Sequence, residues 1–183
     1  MRLLGFDDAP FHRAWRGDVP VVGILCQGGH VEGVLRGAVR RDGADATRRL
    51  AALVTGSRFA GQAQAVLLQG IALAGFNVVD LHGLHAALGC PVLAVARSAP
   101  DLPAIRHALL ERVPGGRKKW ALIERAGPME PCGEVWVQRA GIDLAGARAL
   151  LTAGTVQGRL PEALRIAHLV AGALARGESR GRA

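Results

Sequence analysis

The sequence predicts an α/β protein on a mixed sheet flanked by helices, with its first three strands antiparallel and the later ones parallel. Three stretches carry that prediction. The first covers residues 65–97, where two apolar runs (65–68 and 91–96) enclose a Gly-punctuated segment (69–75) and an amphipathic stretch (76–88) expected to be helical. Two near-continuous apolar strands joined by a helical crossover form a parallel pair covered on both faces, and ligands of such sheets sit at the carboxyl ends of the strands. The second stretch covers residues 19–39, in which a β-rich run, a turn containing Gly28-Gly29 and an alternating run read as a hairpin. The third is the short apolar run 2–6, which stops at Asp7-Asp8.

The remaining elements follow in order. Apolar residues recur at helical spacing over residues 48–54, with Asp45 or Thr47 as the expected N-cap. Residues 104–113 have a helical pattern, 115–119 form a basic loop, and 120–123 and 134–138 are strand candidates joined by the Gly/Pro-rich segment 126–133. Residues 144–153 and 161–175 read as two helices, the second with Pro161 in its first turn. No repeat or boundary interrupts the chain, so residues 1–183 are expected to form one domain with a frayed basic tail at 176–183.

Half of the residues are hydrophobic, enough for one sizeable core. No apolar run approaches the roughly 18 residues of a membrane helix, and the N-terminus reaches carboxylates too soon for a signal peptide. A cytoplasmic protein without membrane contact is therefore expected. The cysteines Cys26, Cys90 and Cys132 are odd in number and far apart, which argues against a disulfide framework or a paired-cysteine metal site. The net charge of +8 is carried almost entirely by Arg, whose rigid fork suits phosphate, although a compositional bias of the genome would also raise Arg. The glycines of residues 28–33 match neither a P-loop nor a dinucleotide fingerprint. Trp15, Trp120 and Trp136 are too scattered in sequence to suggest a stacking surface.

Several polar residues fall where the strands end. Asp7 and Asp8 are adjacent carboxylates that repel and require a cation or donors nearby. Asp42, Asp45 and Asp80 lie at strand ends or helix starts, and could either join Asp7 and Asp8 around a metal or act as turn and cap residues. Gln69 and Asn77 could contact a base or a phosphate, Arg97 a phosphate, and Thr47 lies beside them in the pattern as a substrate-binding candidate. His82 and His85 share a helix face but lack a third ligand, and His168 sits in an apolar helical setting.

Antiparallel strands followed by parallel ones with helical crossovers are the arrangement of the ribonuclease H-like fold, one of several α/β options on pattern alone. The motifs GFDDAPF (5–11), DGADAT (42–47), LLQGIALAGFNVVDLHGLHAALGCPVLAVAR (67–97), PEALRIAHLVAGAL (161–174) and GESRGRA (177–183) resemble the family catalogued as domain of unknown function 99, a relative of endonuclease V. The resemblance implies an endonuclease V-like domain. That family has a carboxylate at the end of its first strand, matched by Asp7 or Asp8, and a strand-end motif Asp-Gly-Gln-Gly-Ile, matched from Gln69 to Ile71. Its metal-binding Asp is replaced by Leu67, its glutamate after the third strand has no counterpart, and a polar residue of its last helix corresponds to His168.

The resemblance therefore implies a divergent nuclease that acts on DNA or RNA with Mg²⁺ or Mn²⁺. Asp7, Asp8, Asp42, Asp45 and Asp80 would supply the metal ligands, and Asp7, Asp8 and His168 the catalytic groups. The alternative is a non-catalytic nucleic-acid-binding or interaction module on the same fold, with an incomplete metal site.

Overall fold

The computed structural model describes residues 1–179. The tail expected to fray begins at Arg176, the last residue of a helix, and residues 180–183 lie outside the described part.

Strands β1 (Arg2–Asp8), β2 (Asp18–Gln27) and β3 (His30–Arg40) form the antiparallel meander expected from the sequence. Helix α1 (Ala46–Thr55) leads to β4 (Ala65–Gln69), which pairs parallel to β1. The short hairpin β5 (Ala72–Leu73) and β6 (Asn77–Val78) precedes α2 (Leu81–Leu88) and β7 (Val92–Ala96), and β7 runs parallel to β4. Helices α3 (Leu102–Arg112) and α4 (Gly116–Arg125) follow, then β8 (Glu130–Cys132), β9 (Val135–Ala140), α5 (Leu144–Gly154) and α6 (Glu162–Arg176). The seven strands of the main sheet are ordered β3-β2-β1-β4-β7-β9-β8. Parallel pairing ends at β7, because β9 joins antiparallel to it and to β8.

Period-two alternation along each strand sends its side chains into two separate cores. Leu4, Phe6, Val66 and Leu68 pack with Leu50 and Val54 of α1 and Leu81 and Leu84 of α2. On the other face, Leu3, Leu67, Leu93 and Val95 pack with Leu150 of α5 and Ala163, Leu164 and Ala167 of α6. Helix α6 lies directly on β1 at Gly5, where a Cβ would stand 2.5 Å from the Ala163 carbonyl carbon. Among the described residues no helix is long and apolar enough to cross a membrane.

Two local expectations are corrected. The amphipathic stretch 76–88 is helical only from Leu81, because Asn77 has a different task. Its fully buried side chain accepts a hydrogen bond from Ala46 N at 3.0 Å and donates to Arg40 O at 2.8 Å and Asp45 Oδ1 at 2.6 Å. Asp80 then caps α2 by accepting from Gly83 N at 2.9 Å. The strand candidate 120–123 and the basic loop before it form one helix, α4, whose buried residues Gly116, Lys119 and Ile123 recur at helical spacing. Replacing Asn77 by Ala leaves the Ala46 N–H unpaired in the interior and strips one of two donors from the Arg40 carbonyl, which keeps Gly43 N. The expected loss is about 3 kcal/mol of unfolding free energy, read from the midpoint of urea denaturation.

Candidate active site

The same alternation that builds the cores also builds a site. Asp7, Gln69 and Arg97 continue the rows of Leu3, Leu67 and Val95, so all three point to the α6 side at or just past the carboxyl ends of β1, β4 and β7. There they line a cleft of about 410 Å³ together with Asp8, Pro10, His168 and Arg176. Asp7 Oδ1 accepts from Asp8 N at 2.9 Å, and Oδ2 lies 2.7 Å from His168 Nδ1, which donates to it when Asp7 is ionised. Asp8 belongs to the opposite row of β1, and its carboxylate accepts from the backbone of Ala74.

Electrostatics separate the two carboxylates from ordinary surface ones. Burial raises the Asp7 pKa and outweighs the opposing pull of His168 and Arg97. Burial and, next, the negative charge of Asp7 push Asp8 up to about 6. Two adjacent carboxyl groups held this way gain strongly from a cation. The Gln69 Oε1 atom in the cleft lining is buried and has no hydrogen-bond partner. Asp7, Asp8 and Gln69 thus offer hard oxygen donors, the set that suits Mg²⁺ or Mn²⁺ rather than a soft metal.

A family model described as Endonuclease dU matches residues 1–175. The chain belongs to the Endonuclease dU family. The UPF0215 protein of Deinococcus radiodurans is 58% identical to it over 178 residues, which span 97% of this chain and 91% of the relative. A crystal structure of a protein of unknown function from Archaeoglobus fulgidus is similar with a TM-score of 0.88 at 35% identity, covering 94% of this chain and 97% of the other. Endonuclease V of Ciona intestinalis, solved in complex with DNA containing an inosine followed by a ribo-adenosine, gives a TM-score of 0.59 at 13% identity, covering 91% and 82%. That last likeness is one of fold, and the endonuclease V-like mixed sheet expected from the sequence is the fold of this chain.

The other candidate residues are held elsewhere, and none of Asp42, Asp45, Thr47, Asn77 and Asp80 lines the cleft. Asp45 pairs with Arg49 at 2.5 Å and accepts from Asn77, and Asp80 pairs with Arg125 besides capping α2. Thr47 Oγ1 accepts from Asp80 N at 2.9 Å. His82 and His85 face the backbone carbonyls of Arg125 and Cys90, at 3.1 Å and 2.8 Å. Asp42 accepts from Phe76 N at 2.9 Å and pairs with Arg41 at 3.2 Å.

Asp42 nonetheless connects to the cleft through the main chain. Among the described residues Asp42 and Ala74 are the non-glycine residues with positive φ, at 50° and 49°, and Asp42 N donates to Ala74 O at 2.9 Å. The buried Lys119 in turn donates from Nζ to Asp42 O at 2.5 Å. A continuous path therefore runs from Lys119 through two strained residues to the peptide that holds Asp8. From sequence Lys119 belongs to a basic cluster, Arg117-Lys118-Lys119, that suits phosphate contact. Its burial against Asp42, like the role of Ala74, is invisible there because nothing in the local pattern shows a partner 77 residues away. Arg176 escaped the sequence reading because it falls in the stretch expected to be a tail. Substituting Lys119 by Met removes the donor from this path, and the expected result is a fall of several degrees in melting temperature with faster hydrogen exchange at Asp42 and Ala74.

Proposed function

We propose that this chain is a divergent metal-dependent endonuclease that hydrolyses phosphodiester bonds of nucleic acid at the Asp7–Asp8 cleft. The observation that carries the reading is the pair of adjacent, buried carboxylates with raised pKa, set beside His168 where the parallel strands end. Asp7 and Asp8 would hold Mg²⁺ or Mn²⁺, with Gln69 Oε1 as a further oxygen donor. Among the described residues no group of three or more His, Cys, Asp or Glu side chains is placed to hold a metal, so water and substrate oxygens would have to supply the remaining ligands. When bound, such an ion activates water and stabilises the charge of the leaving oxygen. Asp7 accepts from His168 and so orients its ring, which would take or return a proton at the cleft wall. Arg97 and Arg176 in the lining bring positive charge to a phosphodiester.

The name of the family and the inosine-bearing DNA of the Ciona structure support a strand carrying deoxyuridine or inosine as substrate. The test is cleavage of end-labelled oligonucleotides with one deoxyuridine, one inosine or neither, in Mn²⁺, Mg²⁺ or EDTA. Wild type is expected to cut a modified strand only with metal, and Asp7→Asn to lose at least a hundredfold in rate. No cleavage of any strand by folded protein would sink the proposal. A second reading, a binding module without turnover, is favoured by Leu67, which is wholly buried in the α5–α6 core at the place of an acidic ligand. Under that reading oligonucleotide binds equally well in Mn²⁺ and in EDTA, and nothing is cut.

A further inference from the structure

The loop from Ala9 to Gly17 carries a feature that the proposed chemistry does not use. It leaves β1 directly after Asp8, and it returns to β2 at the same edge of the sheet, where Ala9 N donates to Pro20 O at 2.8 Å. At its far end Trp15 is 50% exposed, although Trp is a residue that folding normally hides. The indole is nevertheless held in place. Its Nε1 donates to Asp18 O at 3.0 Å, and the ring lies so close to Gly17 that a Cβ there would stand 2.5 Å from the indole Cζ2.

The backbone beneath the ring is fixed as well. Arg41 donates from Nη1 to Arg13 O at 2.5 Å and to Trp15 O, stacks over the Phe11 ring at 5.4 Å and pairs with Asp42. Arg16 donates to the same two carbonyls, at 3.0 Å each. The loop is cationic as well, because Arg13 and Arg16, two positions before Trp15 and one after it, are exposed. An indole that is ordered before binding, half in solvent and carried on a loop with exposed arginines, has the chemistry of a base-stacking platform near phosphate contacts. The scatter of tryptophans along the sequence hides this, because the platform needs one ring and a rigid loop rather than a row of aromatics.

We propose that Trp15 is a stacking platform for an unpaired base of a single-stranded nucleic acid whose backbone runs past Arg13 and Arg16 toward the Asp7–Asp8 cleft. This rests on the nucleic-acid reading above and names the part of the strand the loop would hold. The test is fluorescence anisotropy of labelled 12-nucleotide thymidine and uridine strands in EDTA, which keeps metal chemistry out of the measurement. Trp15→Ala is expected to weaken binding about tenfold, while Trp15→Phe, which keeps an aromatic face, stays within about threefold of wild type. An abasic sugar-phosphate strand of the same length is expected to bind wild type and Trp15→Ala equally. Arg13→Gln is expected to reduce the dependence of log affinity on log salt by about 0.7. Wild-type binding that Trp15→Ala leaves unchanged, or an equal loss in the Ala and Phe variants, overturns the platform and leaves the nuclease reading standing. No binding of any strand by wild type overturns both.

Discussion

Asp8→Asn is expected to unfold at a higher temperature than wild type at pH 8 and, in the same preparation, to bind Mn²⁺ at least about a hundredfold more weakly. The sign follows from the raised pKa. Asp8 titrates near 3.8 when unfolded and at about 6 in the native cleft, so the fold favours its neutral form. The contribution of this group to stability is full below pH 3.8 and is lost as pH rises through about 6. The difference corresponds to about 3 kcal/mol, an upper figure for what a neutral amide recovers at alkaline pH. Asp7 is relieved as well, because a like charge is removed beside it. Metal affinity moves the other way. It is expected to fall about tenfold per pH unit below pH 6 in wild type, as protons compete for Asp8. Melting curves and Mn²⁺ titrations at pH 5 and pH 8 check both. A variant less stable than wild type at pH 8 would show that the carboxylate is not under strain.

Gly5→Val is expected to lower the melting temperature by about 10 °C and to uncouple His168 from Asp7. The side chain at this position of β1 would point straight into the backbone of α6, where the Ala163 carbonyl oxygen and the Leu164 nitrogen both stand 2.6 Å from an ideal Cβ. Backbone cannot rotate away as a side chain can, so the helix must lift. The usual cost of overpacking is about 1–3 kcal/mol, and a chain of this length loses about 2–4 °C for each kcal/mol. His168 lies five residues along α6 from Ala163 and moves with it. Its ring nitrogen shifts by NMR are expected to lose their dependence on Asp7. Retention of that dependence together with the wild-type melting temperature would mean that the helix sits elsewhere.

How far the sequence was readable depends on the range over which each residue's partners lie. The crossover from β4 to β7 is legible because its apolar runs and Gly-Cys-Pro break are local signals, and the meander because Gly28-Gly29 marks its turn. The row of Asp7, Gln69 and Arg97 is readable in the same way, since strand ends and period two put those side chains on one face. Asn77 reads as the start of a helix only because its hydrogen-bond partners, Arg40, Asp45 and Ala46, lie more than 30 positions earlier. The apolar run in α4 is short enough to fit either period, and packing of Ile123 and Lys119 decides it. The aspartates at 42, 45 and 80 look like ligands in sequence; Arg41 and Arg49 stand only one and four positions from their partners, and it is Arg125, 45 positions after Asp80, that becomes visible only once the chain is folded.

The hydrogen bond between Asp7 and His168 joins residues 161 positions apart, the first strand to the last helix. During synthesis, then, the carboxylates exist long before the imidazole that pairs with Asp7, and a nascent chain lacking α6 lacks one wall of the proposed centre. The same geometry makes the centre divisible. A chain cut in the connection between α5 and α6 contains every strand of the main sheet, and a peptide bearing α6 contains His168, so assembly of the two pieces restores what neither holds alone.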